Sequence, residues 1–243
     1  GSIVNGYCCF AYRSSFYLQQ PKFGKAPEGM RLQRIEESPN YVDGQFQNLV
    51  ATPRIVEGSR VSSFWNFFFS QKERPVPIDS IPTVKTDLKA LDKNRDFVIW
   101  LGHSSYFIQF GGKKILIDPV FSSSAAPVDF ANRAFAGTSL YGAEDMPEID
   151  YLLISHDHWD HLDYPTVMAL KSKIKNVICG LGVGAYFEQW GFAGDIIHEA
   201  DWYDSLEMDK DFIVHVLPAR HFSGRLLSPN KNAVDFLCAG NAK

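Results

Sequence analysis

The residues with the strongest chemical character lie in one short run, Ser155-His156-Asp157-His158-Trp159-Asp160-His161-Leu162-Asp163. It holds the pattern His-x-His-x-Asp-His directly after the apolar segment Tyr151 to Ile154. Three imidazoles and a carboxylate within six positions suit a metal centre. Neutral imidazole is a good zinc ligand, and alternate residues His156 and His158 on an extended turn can address one ion. Asp160 and His161, where the chain turns into a helix, can address a neighbouring position. Two such donor sets side by side suit a pair of metal ions that generates hydroxide at neutral pH. Imidazole and carboxylate also accept iron or manganese, so the ligands alone leave the metal open.

The elements around this run are short. Phe97 to Leu101 and Ser104 to Phe110 read as strands, and Gly111-Gly112 is a two-residue turn signal before a strand over Lys113 to Ile117. Tyr151 to Ser155 is a buried strand, and Pro165 to Lys173 a helix with proline in its first turn. Strands are expected over 176–179, 195–198, 212–217 and 233–238, with a helix over 183–190. Strands alternating with short helices predict an α/β class. The domain is expected over 94–243. Residues 1–93, rich in proline, glycine and charge, read as an irregular N-terminal extension, with Gly1-Ser2 resembling a cleavage scar. The block Phe64 to Phe69 within it is either an aromatic plug against the core or a lipid-facing patch.

Composition sets the outer bounds. The chain has 243 residues, 45% hydrophobic and 21% charged, with a net charge of −4, which argues against disorder and gives no basic excess for nucleic acid. Cys8, Cys9, Cys179 and Cys238 have no zinc-type spacing. No run reaches the roughly 18 apolar residues of a membrane helix. The compartment stays open between cytoplasm and membrane association.

Four phrases together resemble the metallo-β-lactamase superfamily, and within it the N-acylphosphatidylethanolamine-hydrolysing phospholipase D branch. They are Trp100-Leu101-Gly102-His103-Ser104-Ser105, Leu116-Ile117-Asp118-Pro119-Val120-Phe121-Ser122, the run 154–164 and Leu217-Pro218-Ala219-Arg220-His221-Phe222-Ser223-Gly224-Arg225. The resemblance implies a four-layer αββα sandwich. It makes His156, His158 and His221 the ligands of a first zinc, and Asp160 and His161 ligands of a second. It gives Asp118 the role of a carboxylate supporting the metal-site histidines, against a plain turn aspartate before proline. His103 flanks the site in the branch, or is a hydrogen-bonded turn residue. His198 and His215 carry no motif and read as structural. The implied activity is hydrolysis of a phosphodiester, a phospholipid headgroup, by hydroxide attack on phosphorus, with Asp160 holding or deprotonating the water. A lactonase, a hydrolase of a soluble phosphorylated sugar and a non-catalytic metal-binding protein are the alternatives. Peripheral membrane contact is the corresponding expectation for partners.

The family's bridging aspartate and final histidine do not appear before Lys243, and Asp235 lacks the glycine turn of that bridge. The expectation is a piece of a longer chain lacking the C-terminal half of the sandwich, with a shortened family member as the alternative. Its apolar sheet face would then meet a second copy or a further segment.

Overall fold

The computed structural model describes residues 17–51, 76–225 and 232–240, the last strand by its backbone alone. The aromatic block at 64–69 therefore lies outside the described residues.

A six-stranded mixed sheet organises the chain. Its strands are β3 (Phe97–Gly102), β4 (Ser105–Phe110), β5 (Lys113–Ile117), β6 (Ile149–Ile154), β7 (Ile174–Gly180) and β8 (Ile197–Ala200), side by side in that order. β3 to β5 form an antiparallel meander, and β5 to β8 run parallel. The parallel part explains the apolar run Tyr151 to Ile154 in β6, because a strand covered on both faces has no polar side to alternate with. The β4–β5 hairpin closes around Gly111-Gly112, with Phe110 opposite Lys113 and φ of 54° and 76° at the two glycines. Both central residues of such a turn need positive φ, which glycine adopts without strain.

One face of the sheet packs against α2 (Tyr164–Leu170) and α3 (Gly184–Gln189) through Phe107, Leu116, Leu152, Ile154, Val167, Leu170 and Phe187. The other face meets a three-stranded antiparallel sheet of β9 (Ser205–Asp209), β10 (Phe212–Pro218) and β11 (Asp235–Gly240). There Ile115, Tyr151, Leu153 and Ile178 bury against Phe212 and Val214, with the Tyr151 and Phe212 rings stacked 4.6 Å apart. The fold is thus mixed α/β, with facing sheets and helices on the outside of the larger one. The small sheet does not reach the meander edge, where Val98 (70% exposed) and Trp100 (49%) lie in register with Ile108 and Tyr106. Most of the apolar residues expected on a bare sheet face are covered, since Ile115 is buried with Ile108, Phe110 and Ile117 packed beside it against the small sheet and Phe107 lies in the core on the helix side.

Three local expectations differ from the structure. Residues Gly194–Ile196 form a 3-10 turn and β8 starts only at Ile197, because pairing with β7 begins at Val177 opposite Ile197. β9 was not expected, although Leu206 and Met208 alternate towards the inter-sheet core. The stretch read as irregular contains α1 (Gly29–Glu37) and a small hairpin of β1 (Tyr41–Val42) and β2 (Gln45–Phe46). Ile35 and Phe46 bury there against Leu181 and Ala233, so tertiary packing supplies the order that local periodicity does not.

Gly102 ends β3 with φ of 114°, and a Cβ placed there would lie 2.6 Å from the Thr138 carbonyl oxygen. His103 follows at φ 45°, and the Trp100 indole N–H donates to the His103 carbonyl (2.8 Å). Gly102→Ala should cost about 1–3 kcal/mol. A denaturant midpoint unchanged from wild type would contradict this.

Candidate metal centre

The site forms where β5, β6 and β10 end and the chain must turn. β6 delivers Ser155 and the metal loop, β5 delivers Asp118, the β3–β4 turn delivers His103, and the segment after β10 delivers His221. The donor atoms of His156, His158 and His221 lie within 4.8 Å of one another, and so do those of His103, Asp160 and His161. His221 Nε2 is 3.1 Å from His158 Nδ1, and the His156 and His221 rings are 4.8 Å apart between centroids. Two nitrogens bound to one zinc at 2.0–2.1 Å in tetrahedral geometry stand roughly 3.3 Å apart. The His158–His221 pair therefore has the spacing of two ligands to one ion, and His156 lies within 4.8 Å of both.

Proton bookkeeping decides which nitrogen of each ring is free. Asp118, 3% exposed, accepts from the Ser155 backbone N–H at Oδ1 (2.8 Å). Its Oδ2 accepts from the Ser155 hydroxyl (2.6 Å) and from His161 Nδ1–H (2.8 Å). With its one proton given to Asp118, Ser155 Oγ can only accept from His156 Nδ1–H, 3.0 Å away. Both imidazoles are then protonated on Nδ1 and keep a lone pair on Nε2. His156 Nε2 is buried and has no hydrogen-bond partner. A buried, unpartnered lone pair facing two other imidazoles is the feature that a metal ion would satisfy. The residues present fit the metal that the motif implies.

His103 Nε2 lies 3.0 Å from Asp160 Oδ2, and His161 Nε2 is 3.9 Å from the same oxygen. His103 thus groups with Asp160 and His161 as a second set of atoms that could hold a metal ion. The positive φ at Gly102 and His103 makes this reach possible. His198 bonds Asn176 Oδ1 (3.1 Å) and His215 bonds Ser205 Oγ (2.8 Å), both as structural residues.

The loop alternates, so that His156 and His158 face the donor cluster while Asp157 and Trp159 face the opposite way. Asp157 accepts from Gly224 N–H (2.9 Å), the Tyr186 hydroxyl (3.1 Å) and Asn232 Nδ2 (2.9 Å). The Gly224 bond ties the His221 segment to the metal loop. Arg225, 3% exposed, donates from Nη1 to the carbonyls of Asp157 (3.3 Å) and Leu162 (2.6 Å) and from Nε to that of Lys22 (2.7 Å). Its guanidinium sits 4.0 Å from the Trp159 ring centroid. The sequence quotes Arg225 only as part of a phrase and leaves Asp157, Tyr186 and Asn232 unread. The one available signal was that Asp157 sits between two histidines on a strand-like turn, where its side chain must point away from them.

Burial, reinforced by the neighbouring imidazoles, pushes His156 down to about 2. Burial also lowers His158 and His221, against the opposing pull of Asp157 and Asp160. For His161 burial is outweighed by the hydrogen bond and charge of Asp118 together with Asp160, and the net shift is upward. Groups held neutral in the fold take up protons more readily when unfolded. Their stability contribution is complete above the unfolded value of about 6.5 and is lost as pH falls below it. His161 acts in the opposite sense, but it is outnumbered by the depressed groups, to which burial adds His198. The chelator-treated chain should melt at a lower temperature at pH 5 than at pH 7, and His156→Asn should reduce that difference. A melting temperature that is flat or rises on acidification would contradict the assignment.

Comparison with known proteins gives the family. The model of a family described as "Beta-lactamase superfamily domain" matches residues 113–240, just over half of the chain. The match takes in Asp118, the metal loop and His221. An uncharacterized protein of Mycobacterium tuberculosis is 36% identical over 197 residues, covering 80% of this chain and 53% of the relative. An N-acyl-phosphatidylethanolamine-hydrolyzing phospholipase D of Caenorhabditis elegans is 31% identical over 145 residues, covering 56% of this chain and 40% of that protein. The chain thus spans about half the length, or less, of these curated relatives. Among solved structures, a metallo hydrolase of the archaeon Ignicoccus hospitalis is 18% identical with a TM-score of 0.44, covering 59% of this chain and 55% of that one. By the match over 113–240, the chain belongs to the beta-lactamase superfamily.

Proposed function

We propose that this chain carries the metal site of a metal-dependent hydrolase that cleaves a phosphodiester, with a phospholipid headgroup as the substrate class. The observation that carries the reading is the pair of adjacent donor sets, His156, His158 and His221 beside His103, Asp160 and His161. The phosphodiester part is supported by the likeness to the C. elegans phospholipase D.

A pair of bound metal ions would lower the pKa of water and steady charge on substrate oxygens. The chain's own residues prepare the site for that. Asp118 and Ser155 keep protons on Nδ1 of His161 and His156, so each presents Nε2 without rearrangement. Asp160, partly exposed and hydrogen-bonded to His103, is placed to hold or take a proton from water at Oδ2. The protein offers zinc, iron and manganese a workable ligand set, with zinc the proposed metal.

The test is turnover by the chain reconstituted separately with zinc, iron and manganese. Substrates would be bis(4-nitrophenyl) phosphate, an N-acylphosphatidylethanolamine in mixed micelles, and a long-chain lactone. Metal-dependent release of phosphatidic acid from the phospholipid is the expected result, together with up to two metal ions per chain. Lactone turnover without phosphodiester turnover would replace the substrate class. Metal binding with no turnover of any of them would favour a non-catalytic metal-binding protein.

A further inference from the structure

Five of the six candidate metal donors follow strands of the larger sheet, and one does not. His103 follows β3, and His156, His158, Asp160 and His161 follow β6, whereas His221 follows β10 of the small sheet. The second set has supports of its own on the larger sheet. The His161 and Leu162 N–H groups both donate to the His158 carbonyl (3.1 and 2.8 Å), which closes the turn carrying Asp160, and Asp118 holds His161 at Nδ1. The first set has to be assembled between the two sheets. The His221 N–H donates to the Ala219 carbonyl (3.0 Å) and to Asn48 Oδ1 (3.2 Å), neither of which lies on the metal loop.

Asp157 makes that connection. It is 2% exposed, and both of its oxygens are occupied. Oδ1 accepts from the Gly224 N–H, shortly after His221 (2.9 Å). Oδ2 accepts from the Tyr186 hydroxyl on α3 (3.1 Å) and from Asn232 Nδ2 ahead of β11 (2.9 Å). Gly224 in turn lies against the ring of His158, since a Cβ built on it would stand 3.3 Å from His158 Nε2. Through Gly224, one carboxylate therefore fixes both the segment that carries His221 and the back of the His158 ring. The front of that ring, at Nδ1, is 3.1 Å from His221 Nε2. A buried carboxylate with three donors has little freedom to turn, so the geometry it sets is firm.

Alternation along the loop turns this carboxylate away from the donor atoms of its two neighbours, so Asp157 is not itself a ligand. We propose that Asp157 is a positioning residue of the first donor set, its carboxylate setting the His158–His221 spacing and with it the affinity for the ion held there. The second set binds its ion independently of Asp157. The inference rests on the reading of these donors as metal ligands, and not on which substrate is cleaved. A carboxylate is required, because both oxygens face donors. In Asp157→Asn the new amide nitrogen must meet either the Gly224 N–H or Asn232 Nδ2, donor against donor, whichever way it is turned. Exchanging the two side chains, Asp157→Asn together with Asn232→Asp, restores a matched pattern. The amide oxygen then faces Gly224, and the amide nitrogen faces a carboxylate at position 232.

The test measures zinc affinity by competition with a chromophoric chelator in two backgrounds. His103→Ala with Asp160→Ala leaves the first set whole, and His221→Ala leaves the second. With the first set whole, Asp157→Asn should weaken zinc binding by about 10- to 100-fold, and the exchanged pair should recover most of that loss. With the second set whole, Asp157→Asn should change the affinity by less than about threefold. Melting temperatures of the metal-free chains verify folding. Equal weakening in both backgrounds would mean a general loosening of the fold and would overturn the proposal. Unaltered affinity of the first set would do the same, as would an exchanged pair no better than Asp157→Asn alone. Should Asp157→Asn fail to fold, Tyr186→Phe removes one donor from the same carboxylate. A loss of about threefold or more is then expected in the first set alone, and an unchanged affinity would overturn the proposal. All of these are binding measurements, so an absence of hydrolysis, which would end the hydrolase reading, has no bearing on them.

Discussion

Asp160→Ala is expected to remove hydrolysis, by about 10³-fold in kcat, while moving the melting temperature little. The side chain is 31% exposed, and its contacts are His103 at 3.0 Å and His161 at 3.9 Å, all within the site. Little packing is lost with it, whereas a charge that holds a metal ion or the attacking water is lost outright. Asp160→Asn separates the two contributions, because it keeps a hydrogen-bonding group towards His103 and removes only the charge. It should be nearly as inactive as the alanine variant. Steady-state kinetics on the phosphodiester that the wild type turns over, with thermal melts on the same preparations, would decide. A variant retaining a tenth of wild-type activity would sink the two-metal reading.

The largest effect on stability is expected from Arg225→Met, at about 3–5 kcal/mol. Burial lowers this guanidinium to about 10, which still leaves it charged at neutral pH. Methionine would fill much of the volume against Trp159. It would also strand the carbonyls of Lys22, Asp157 and Leu162 and leave Asp157 without its buried counter-charge. For a domain of this size the melting temperature should fall by roughly 10 °C. The affinity for zinc should weaken as well, because Arg225 bonds the metal loop at Asp157 and beyond it at Leu162. Arg225→Lys restores charge but not the fork of donors, and should recover only part of the loss. A methionine variant as stable as wild type would show that the three carbonyls find other partners.

What could be read from the sequence was local. His156, His158, Asp160 and His161 fall within six residues, so their spacing alone brought them to one place. His221 and Asp118 were reachable only through family phrases, and the structure sets both beside the metal loop. His103 was read as a flanking residue because its position depends on two consecutive positive-φ residues, a backbone property that no side-chain pattern announces. Arg225, Tyr186 and Asn232 meet Asp157 across separations of 29 to 75 residues, with no local spacing to betray them. Among the elements, the Gly111-Gly112 hairpin was legible because its turn chemistry is specific. α1 was not, since Leu32 and Ile35 form a narrow apolar stripe in a helix whose cap residue Glu28 makes no side-chain capping bond.

The N-terminal segment is held almost entirely by such distant bonds. Arg225 donates to Lys22 and Trp190 to Pro21, Arg31 pairs with Glu188 and Glu199, and the His221 N–H reaches Asn48. Each closes a loop of 157 to 203 residues. Loop-closure entropy of that size places these contacts late in folding, after the β3–β5 meander has formed from near neighbours. Stopped-flow measurements on Phe23→Ala, which removes a ring packed at 5.3 Å against Trp159, should therefore show faster unfolding and a nearly unchanged folding rate. In kinetic terms the segment acts as a latch, fastened last and released first, and its departure would uncover Trp159 on the metal loop while the sheet stays intact.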